Sequence, residues 1–529
     1  MPQTQRRHVE IDRLPITILG AEVHNSSTST PTSTRRAFGR AKRLGANAVL
    51  APIAWDLLEP NRGEFHFEQI DAMLSAARDE HLYLVPLWFG SWKNASSSYV
   101  PEWIKRDPDT FPVAVAGEQG PIEHVSPFGE ESRRADAAAF TALMSYLRHS
   151  DPEGTVIMVQ VENEVGLLGD SRDRSDLANR AWAREVPAAI ITAIEGAPWI
   201  PAHQRWLERG RLRSGSWQEV LGDNSEAHEV FMASAYATYV QTIVSSGQAQ
   251  HPLPMYVNAW LDVPIEIDLP VSSALAVAGG AEPGWYPSGG PIPRVAPIWS
   301  ACAPSLALHA PDIYFGDFDE ICRAFRESSS ALLIPEMRRS SLGAAQMLVA
   351  LTEHRAVGVS PFGVDSVEEG SDAEAALADG YRLAGTATEI LREHPGAVAR
   401  GFLLGDDRPE QTVQFGEFLV TLKADDLFDE PDVVGPAHGA VIQERPGVFT
   451  VIGRGLDVKF ARENGGRVGI LAATELDFKG SWRVVRRLNG DETASGTAIR
   501  VPQRGARTPE AFPIPLLPAS TGIVRVELY

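Results

Sequence analysis

Eight short apolar runs alternate with stretches that favour helix along residues 1–400, and this alternation constrains the fold more than any other feature. Polar side chains follow directly after most of the runs. The alternation predicts a parallel sheet, and polar strand ends are typical of a closed (β/α)8 TIM barrel, which carries its chemistry at the carboxyl ends of its strands. The predicted strands lie at residues 16–23, 47–53, 82–87, within 155–166, and at 255–259, 306–309, 332–336 and 356–360.

The fourth predicted strand, in the segment TVIMVQVENEVG (155–166), changes abruptly from apolar residues to amides and carboxylates. Its uncharged, β-branched first half fits a strand that is buried on both faces of a parallel sheet. Gln160, Glu162, Asn163 and Glu164 then follow, so that the strand delivers polar groups to a pocket at the barrel mouth. The alternative is a polar strand end that meets a loop, with Glu162 and Glu164 simply solvated.

A second domain is predicted after residue 400, because the sequence pattern changes there from strand–helix alternation to alternation of period two. Segments such as GEFLVTLK and GIVRVELY, separated by Gly, Asp and Asn, predict an antiparallel β-sandwich-like domain. The predicted division is therefore a barrel over 1–400, with a helical insertion at about 170–247, and an all-β domain over 401–529. The tryptophans of the insertion, Trp182, Trp199, Trp206 and Trp217, are interpreted as packing residues.

The formal net charge of −21 argues against nucleic acid or an anionic membrane surface as a partner, because both bind basic patches. Neutral carbohydrate is compatible with this charge, and a homo-oligomer is left open. The N-terminal residues MPQTQRRHVEIDRLP contain no apolar core of a signal peptide, and no run approaches the ~18 apolar residues of a membrane span. A cytoplasmic chain is predicted, with earlier removal of a signal peptide as the open alternative.

Two carboxyl groups at separate strand ends, Glu164 and Glu336, suggest glycoside hydrolysis. That reaction needs one protonated and one ionised carboxyl group on opposite sides of the scissile bond. Glu164 closes the fourth predicted strand and Glu336 the seventh, and all strand ends of a barrel meet at one face. Taken alone, a residue such as Glu336 is more often an ion-pair partner, here of Arg338 or Arg339, but its pairing with Glu164 favours the functional interpretation.

The other strand ends supply groups of the kinds that bind a sugar. Aromatic rings pack on the C–H face of a pyranose, and amides, carboxylates and ammonium groups bind its hydroxyls. Each of these residues also has a structural interpretation, because tryptophans mostly fill cores and asparagines mostly cap turns. The predicted substrate-binding residues are Asn25, Trp55, Glu59, Trp88, Lys93, Asn94, Asn163, Asn258, Trp260, His309 and Tyr314.

Several spaced motifs resemble glycoside hydrolase family 35, a clan A retaining family, in its bacterial branch with a C-terminal β-domain. They are AWDLLEPNRGEFHFEQID, LWFGSWKNASSSYVPEWIKRDPDTFP, VQVENEVG, HAPDIYFGDF and LLIPEMRR. The resemblance implies a β-galactosidase in which Glu164 is the acid/base, Glu336 is the nucleophile and Asn163 binds the hydroxyl next to the anomeric carbon. Better-known members carry a Cys-Ala-Glu-Trp-type segment after the third strand, whose acidic residue helps to recognise galactose. This chain has GSWKN there, and Lys93 and Asn94 are the candidates to replace that recognition.

Three alternatives to an exo-acting β-galactosidase remain at this stage. The first is the same mechanism on another terminal sugar, of the glucose, fucose or glucosamine type. The second is a carbohydrate-binding protein that has lost turnover on this scaffold, against which the presence of both carboxyl groups argues. The third is a metal-dependent barrel enzyme, but His24, His66, His124 and His309 show no i, i+4 ligand pair. No metal and no cofactor are therefore predicted.

Overall fold

A computed structural model of the chain describes residues 14, 16–263, 280–405, 408–428, 435–509, 517 and 519–529. Most of the N-terminal stretch on which the prediction of no signal peptide rests lies outside these residues. Within them, no helix combines the length and the apolar character that crossing a bilayer requires.

Eight parallel strands of the described chain close a barrel, which confirms the predicted fold class. In chain order the strands of this region are β1 (Ile18–Glu22), β2 (Ala48–Ala54), β3 (Tyr83–Phe89), β4 (Val113–Ala116), β5 (Gly120–Val125), β6 (Val159–Val161), β7 (Met255–Ala259), β8 (Leu308–Ile313), β9 (Leu333–Met337) and β10 (Gly358–Pro361). Around the barrel they run β1-β10-β9-β8-β7-β6-β3-β2, and β4 and β5 form a separate hairpin that the sequence did not predict.

The barrel strands are buried along nearly their whole length because helices cover a parallel sheet on its outer face. All residues of β2 and of β7, for example, are buried. The sixth barrel strand was predicted at 306–309, and this was wrong, because the strand continues to Ile313. Its polar residues His309 and Asp312 end an apolar run in the sequence, but polar groups are accommodated near the carboxyl end of a barrel strand.

The helices of the described residues lie between these strands or follow the last of them. In chain order they are α1 (Pro31–Leu44), α2 (Trp55–Leu58), α3 (Glu68–Asp79), α4 (Glu102–Lys105), α5 (Glu130–Ser150), α6 (Asp176–Trp182), α7 (Ala188–Glu195), α8 (Pro201–Glu208), α9 (Trp217–Leu221), α10 (Ser225–Gln250), α11 (Ala296–Cys302), α12 (Phe318–Ser328), α13 (Ser341–Thr352) and α14 (Asp372–Glu393).

The predicted helical insertion at about 170–247 contains α6–α9 and most of the longer helix α10, which leads into β7. Trp182, Trp206 and Trp217 are buried, and the rings of Trp182 and Trp217 stack with centroids 6.2 Å apart. Trp199 is 70% exposed, so the packing role predicted for it is wrong. Trp199 lies in a turn between two helices rather than on the apolar face of a helix.

Contact density divides the chain into two compact units. The first comprises residues 1–42, 46–337 and 360–365, and the second comprises 43–45, 338–359 and 366–529. The second unit thus includes α13 and α14 together with the strands that follow them. The predicted division at residue 400 remains a prediction.

The β-domain is a sandwich of two antiparallel sheets. Its strands are β11 (Val398–Leu403), β12 (Glu410–Phe415), β13 (Phe418–Ala424), β14 (His438–Arg445), β15 (Val448–Arg454), β16 (Leu456–Arg462), β17 (Ile470–Phe478), β18 (Trp482–Leu488), β19 (Ala498–Val501) and β20 (Ile523–Leu528). One sheet runs β11-β14-β15-β20-β17-β18 and the other β12-β13-β16-β19. Apolar side chains from both sheets, among them Phe449 and Val526 from the first and Val420 and Val458 from the second, form one core.

The outer face of the larger sheet packs on α13 and α14 within the second unit. Leu348 of α13 and Leu383 and Ile390 of α14 form one apolar cluster with side chains of β14, β15 and β20. Ile442 and Ile452 are fully buried in this cluster. The strands therefore cover apolar surface of helices that precede them in the chain.

Truncation of the chain after residue 400 is expected to yield aggregated or much less stable protein. The cut would expose the side chains of Leu348, Leu383 and Ile390, and each buried side chain of this kind contributes about 1.5–3 kcal/mol. Size-exclusion chromatography and thermal unfolding of the truncated and full-length chains measure the effect. A monodisperse truncated protein with the unfolding temperature of the full chain would contradict it.

Candidate active site

Four neighbouring barrel strands bring polar side chains together at their carboxyl ends. Asn163 and Glu164 follow β6, Asn258 lies in β7, Asp312 in β8 and Glu336 in β9. In the register of β8 and β9, Asp312 is paired with Glu336. One carboxylate oxygen from each of Glu164, Asp312 and Glu336 lies within 4.8 Å of the other two, and all three residues are buried. The bland interpretation, in which Glu164 is simply solvated, is therefore excluded.

The segment after β6 turns sharply, because Glu162 and Glu164 both have left-handed backbone conformations, with φ of 61° and 46°. Three hydrogen bonds hold the turn: Asn163 N donates to the Trp92 carbonyl, Ala95 N donates to the Glu164 carbonyl, and Glu164 N donates to Asn258 Oδ1 over 2.9 Å. The turn sends alternate side chains in different directions. Glu162 accepts from the backbone N of Trp92 over 2.8 Å and belongs to a different buried group.

Glu336 is held by neutral donors on both of its carboxylate oxygens. The Tyr314 hydroxyl donates to Oε2 over 2.8 Å. The amide groups of Asn163 and Asn258 each approach Oε1 to 3.4 Å. Three donors from three different strand ends fix the orientation of one carboxylate, as a nucleophile or a ligand requires.

Lys93 is the cation of this cluster. Its ammonium donates to Asn163 Oδ1 over 3.0 Å and lies 5.1 Å from the centre of the Phe89 ring. Burial by itself lowers the pKa of Lys93, but the carboxylates of Glu336 and Glu164 outweigh burial and raise the pKa overall. Lys93 is therefore charged at neutral pH and partly balances the surrounding carboxylates.

The surroundings of Glu164 raise the pKa of its carboxyl group into the neutral range. Burial, followed by the negative charge of Glu336, raises the pKa of Glu164 to about 7, and Lys93 opposes this shift. Burial and the charges of Glu336 and Glu164 also raise the pKa of Asp312, whose carboxyl group shares a hydrogen bond with Glu164. Asp312 is fixed from the other side by Asn258 Nδ2, which donates to it over 2.7 Å.

The spacing of Glu164, Asp312 and Glu336 would also allow these three residues to ligate a metal ion. Each of them, however, already takes part in a hydrogen bond: Glu336 with Tyr314, Asp312 with Asn258, and Glu164 with Asp312. The arrangement is therefore that of a hydrogen-bonded group of acids beside a lysine.

Two of the predicted tryptophans, Trp55 and Trp88, lie in the protein core, as does the neighbouring Trp92. Trp55, Trp88 and Trp92 have no exposed surface, and each indole N–H is already bonded, to Glu59 Oε2, Asp136 Oδ1 and the Val125 carbonyl respectively. The hairpin of β4 and β5 supplies the last of these acceptors. Because this hairpin was not predicted, the burial of Trp92 was not expected either.

Trp260 and Asn25 remain candidates for ligand contact. Trp260 is 4% exposed, and its indole N–H is buried without a hydrogen-bond partner among the described residues. Asn25 Oδ1 is likewise buried without a hydrogen-bond partner among these residues. Unpaired buried polar atoms at the mouth of a barrel are groups that a bound hydroxyl can satisfy.

Three other predicted residues occupy structural positions. Glu59 accepts from Trp55 and from the backbone N of Gly63 over 2.8 Å. Asn94 is exposed and has a left-handed φ of 51°, as a turn residue does. His309 packs against Trp299 with ring centroids 5.9 Å apart. Since alternate residues of a strand face opposite sides, His309 and Asp312 lie on different faces of β8, and the structure does not bring His309 to the carboxylates.

The sequence analysis missed three members of the cluster: Glu22, Tyr256 and Asp312. Two of them could have been predicted from the alternation of side chains along a strand. Tyr256 lies two residues before Asn258 in β7, and Asp312 lies two residues before Tyr314, so each shares a face with a predicted residue. Glu22 ends β1 and is only 1% exposed.

The family model described as "Glycosyl hydrolases family 35" matches residues 8–208, and the model "Domain of unknown function (DUF5597)" matches 377–500. The first match contains Glu22, Lys93 and Glu164 but ends before Glu336. Beta-galactosidase 3 of Oryza sativa subsp. japonica is 25% identical over 181 residues, which is 33% of this chain and 20% of the relative. Beta-galactosidase 6 of the same plant is 24% identical over 203 residues, 37% of this chain and 22% of the relative. The chain thus spans about a fifth of the length of these relatives.

Two solved structures are similar at low sequence identity. The β-galactosidase of the psychrophilic Marinomonas ef1 aligns with a TM-score of 0.47 and 13% identity, covering 72% of this chain and 60% of that one. The β-galactosidase of Bacillus circulans sp. alkalophilus aligns with a TM-score of 0.46 and 13% identity, covering 71% and 56%.

Proposed function

We propose that the chain, which matches the model of glycosyl hydrolases family 35 over residues 8–208, is a retaining, exo-acting β-glycosidase whose first substrates are terminal β-D-galactosides. The observation that carries this proposal is the environment of two carboxyl groups. Glu164 has a pKa raised to about 7, while Glu336 is held by three neutral donors. One group is suited to donate a proton and the other to attack as an oriented carboxylate.

The separation of the two carboxyl groups supports the retaining stereochemistry. Retaining enzymes hold them ~5–5.5 Å apart, whereas inverting enzymes leave ~6.5–9.5 Å for a water molecule between them. Oxygen atoms of Glu164 and Glu336 lie within 4.8 Å of each other. This short distance between oxygen atoms favours the retaining arrangement, in which the second carboxylate itself is the proposed nucleophile.

In the first step, ionised Glu336 attacks the anomeric carbon and the bond to the leaving oxygen breaks, while Glu164 gives its proton to that oxygen. A covalent glycosyl-enzyme forms on Glu336. In the second step Glu164, now ionised, takes a proton from water, and the resulting hydroxide displaces Glu336 and regenerates the free sugar. Asn163, whose amide is 3.4 Å from the attacking oxygen, is proposed to bind the hydroxyl at C2.

A screen of 4-nitrophenyl β-glycosides that differ only in the sugar tests the proposed function. Galactoside is expected to be hydrolysed fastest, with release of one terminal sugar, and the curated rice relatives named as β-galactosidases support this choice. Faster cleavage of the glucoside, fucoside or glucosaminide would show that the assigned sugar is wrong, but the proposed mechanism would stand. Release of internal fragments from a polysaccharide, without monosaccharide, would contradict the exo mode.

The rate of the first step is expected to fall as pH rises through about 7. Glu164 must be protonated to assist a poor leaving group, and its pKa is raised to about 7 by burial and by Glu336, so the active form is lost above that pH. kcat/KM for a disaccharide should therefore fall roughly tenfold per pH unit well above the pKa. The E164A variant should lose this alkaline limb. A disaccharide profile that stays flat from pH 6 to 9 in the native enzyme would contradict the role of Glu164.

A further inference from the structure

The side chain of Glu22 has no partner among the described residues, although it is buried in the same barrel mouth. Glu22 ends β1, is 1% exposed, and both of its carboxylate oxygens are buried without a hydrogen bond. Leaving a buried polar group unpaired destabilises the folded chain, and such groups in folded proteins usually have a functional reason. Two acceptor positions are therefore available to a ligand.

The backbone of Glu22 has a separate, structural role. Its carbonyl accepts a hydrogen bond from Gly363 N over 2.8 Å, and the residue forms a parallel bridge with Phe362. These contacts join β1 to the chain after β10 and do not use the carboxyl group. A change of the side chain therefore leaves the closure of the barrel in place.

In the closed barrel, β10 alone separates β1 with Glu22 from β9 with Glu336, and β2 alone separates β1 from β3, which Lys93 follows. Going around the barrel, β6, β7, β8 and β9 are consecutive and carry Glu164, Asn258, Asp312 and Glu336. On the other arc, β3, β2 and β1 are consecutive, with Lys93 after β3 and Glu22 at the end of β1. Glu22 and Lys93 thus stand on the arc that the proposed bond cleavage does not use.

The charges at the barrel mouth also act on the Glu22 carboxyl group. Burial first, and then the charges of Glu336 and Glu164, raise the pKa of Glu22, while Lys93 opposes the shift. The charge of Glu22 likewise contributes to the raised pKa of Tyr314, which bonds Glu336. Glu22, Lys93 and Glu336 therefore interact through their charges at the same end of the barrel.

We propose that Glu22 determines sugar specificity by binding the adjacent hydroxyls at C3 and C4 of the terminal sugar through its two carboxylate oxygens, beside Lys93. The assignment rests on the proposed function and on the order in which the site residues follow one another around the barrel mouth. Glu336 faces C1, and Asn163 is next to it. Lys93 is bonded to Asn163 over 3.0 Å, and Glu22 lies beyond Lys93 on the same arc. A pyranose laid along this order presents C3 and C4 to Glu22.

A cycle of enzyme variants and deoxy substrates tests this inference. The variants are E22A, which removes both oxygens, and E22Q, which keeps the shape of the side chain. The substrates are 4-nitrophenyl β-galactoside and its 3-deoxy, 4-deoxy and 6-deoxy analogues, or the same analogues of whichever sugar the screen selects. Ratios of kcat/KM within one variant do not depend on the fraction of folded enzyme.

For the parent substrate, kcat/KM of E22A is expected to be about 10²-fold or more below that of the native enzyme, and the loss in E22Q should be smaller. Hydrogen bonds between a site and the hydroxyls of its substrate contribute strongly to discrimination. The loss should be similar for the 6-deoxy substrate, which keeps both hydroxyls. It should shrink to roughly tenfold for the 3-deoxy or the 4-deoxy substrate, since each of these already lacks one of the two contacts that the variant removes. The unfolding temperature of E22A should equal or exceed that of the native chain, because an unpaired buried carboxyl group is removed.

An equal loss of kcat/KM for all four substrates would overturn the proposed role of Glu22. A lower unfolding temperature of E22A with no change in the substrate ratios would also overturn it. In that case the native enzyme still hydrolyses the glycosides and the proposed function stands. Failure of the native chain to hydrolyse any β-glycoside would overturn the proposed function and this inference with it.

Discussion

Replacing Glu336 with glutamine is expected to lower turnover of 4-nitrophenyl β-galactoside by about 10⁴–10⁶-fold, the range found when a covalent nucleophile is removed from an enzyme. The amide preserves the shape of the side chain and can still meet the Tyr314 hydroxyl, which lies 2.8 Å from Oε2 in the native chain. It cannot attack the anomeric carbon. Because 4-nitrophenolate leaves without a proton, Glu164 cannot compensate for this loss.

A matched control for this variant is E327Q, which makes the same change at an exposed position of α12. Its kcat should equal that of the native chain. Incubation with a 2-fluoro glycosyl fluoride, followed by peptide mass spectrometry, should label Glu336 in the native chain and nothing in E336Q. Full activity of E336Q, or a label on another residue, would contradict the assignment.

Replacing Glu164 with alanine is expected to affect the two steps differently. With 4-nitrophenyl β-galactoside the first step should proceed nearly normally, because the leaving group needs no proton. The second step should slow by about 10²–10⁴-fold, since no base activates water. The glycosyl-enzyme should therefore accumulate, giving a burst of 4-nitrophenol followed by slow turnover and a low KM.

Azide is expected to restore turnover of E164A, because this anion needs no base and fits the space that the carboxylate leaves. The product should be the β-galactosyl azide, since attack on the intermediate carried by Glu336 returns the original configuration. Thin-layer chromatography and NMR identify the product, and native enzyme with azide is the control. An α-azide, or the absence of both burst and rescue, would contradict the role of Glu164.

Much of the barrel could be predicted because its strands follow local rules. β7 was predicted at its observed bounds, 255–259, and the seventh strand within one residue, because an apolar run bounded by turn residues defines a buried parallel strand. The β4–β5 hairpin could not be found in this way. Its two strands, Val113–Ala116 and Gly120–Val125, are short and half exposed, and they pair only with each other, so that neither carries a strong apolar signal.

Site residues that follow or end a strand could be predicted from the sequence. Burial of a strand-end residue by a distant part of the chain could not. Asn163, Glu164, Asn258, Tyr314 and Glu336 follow or end their strands, and the structure brings them together. Trp88 also lies at a strand end, but its indole donates to Asp136 of α5, and no local pattern connects residues 48 positions apart. Asp312 was missed because its neighbours in the sequence, Pro311 and Ile313, do not mark it as different from an ordinary strand residue.

The left-handed turn at Glu162 and Glu164 limits how stable an active form of this chain can become. A residue with a Cβ atom in a sparsely populated conformation costs of order 1–3 kcal/mol, and the φ of 46° at Glu164 is one that glycine adopts freely. Selection for thermal stability alone should therefore favour glycine at position 164, at the expense of the proton donor. The trade-off between stability and activity in this fold is thus concentrated in a single backbone angle.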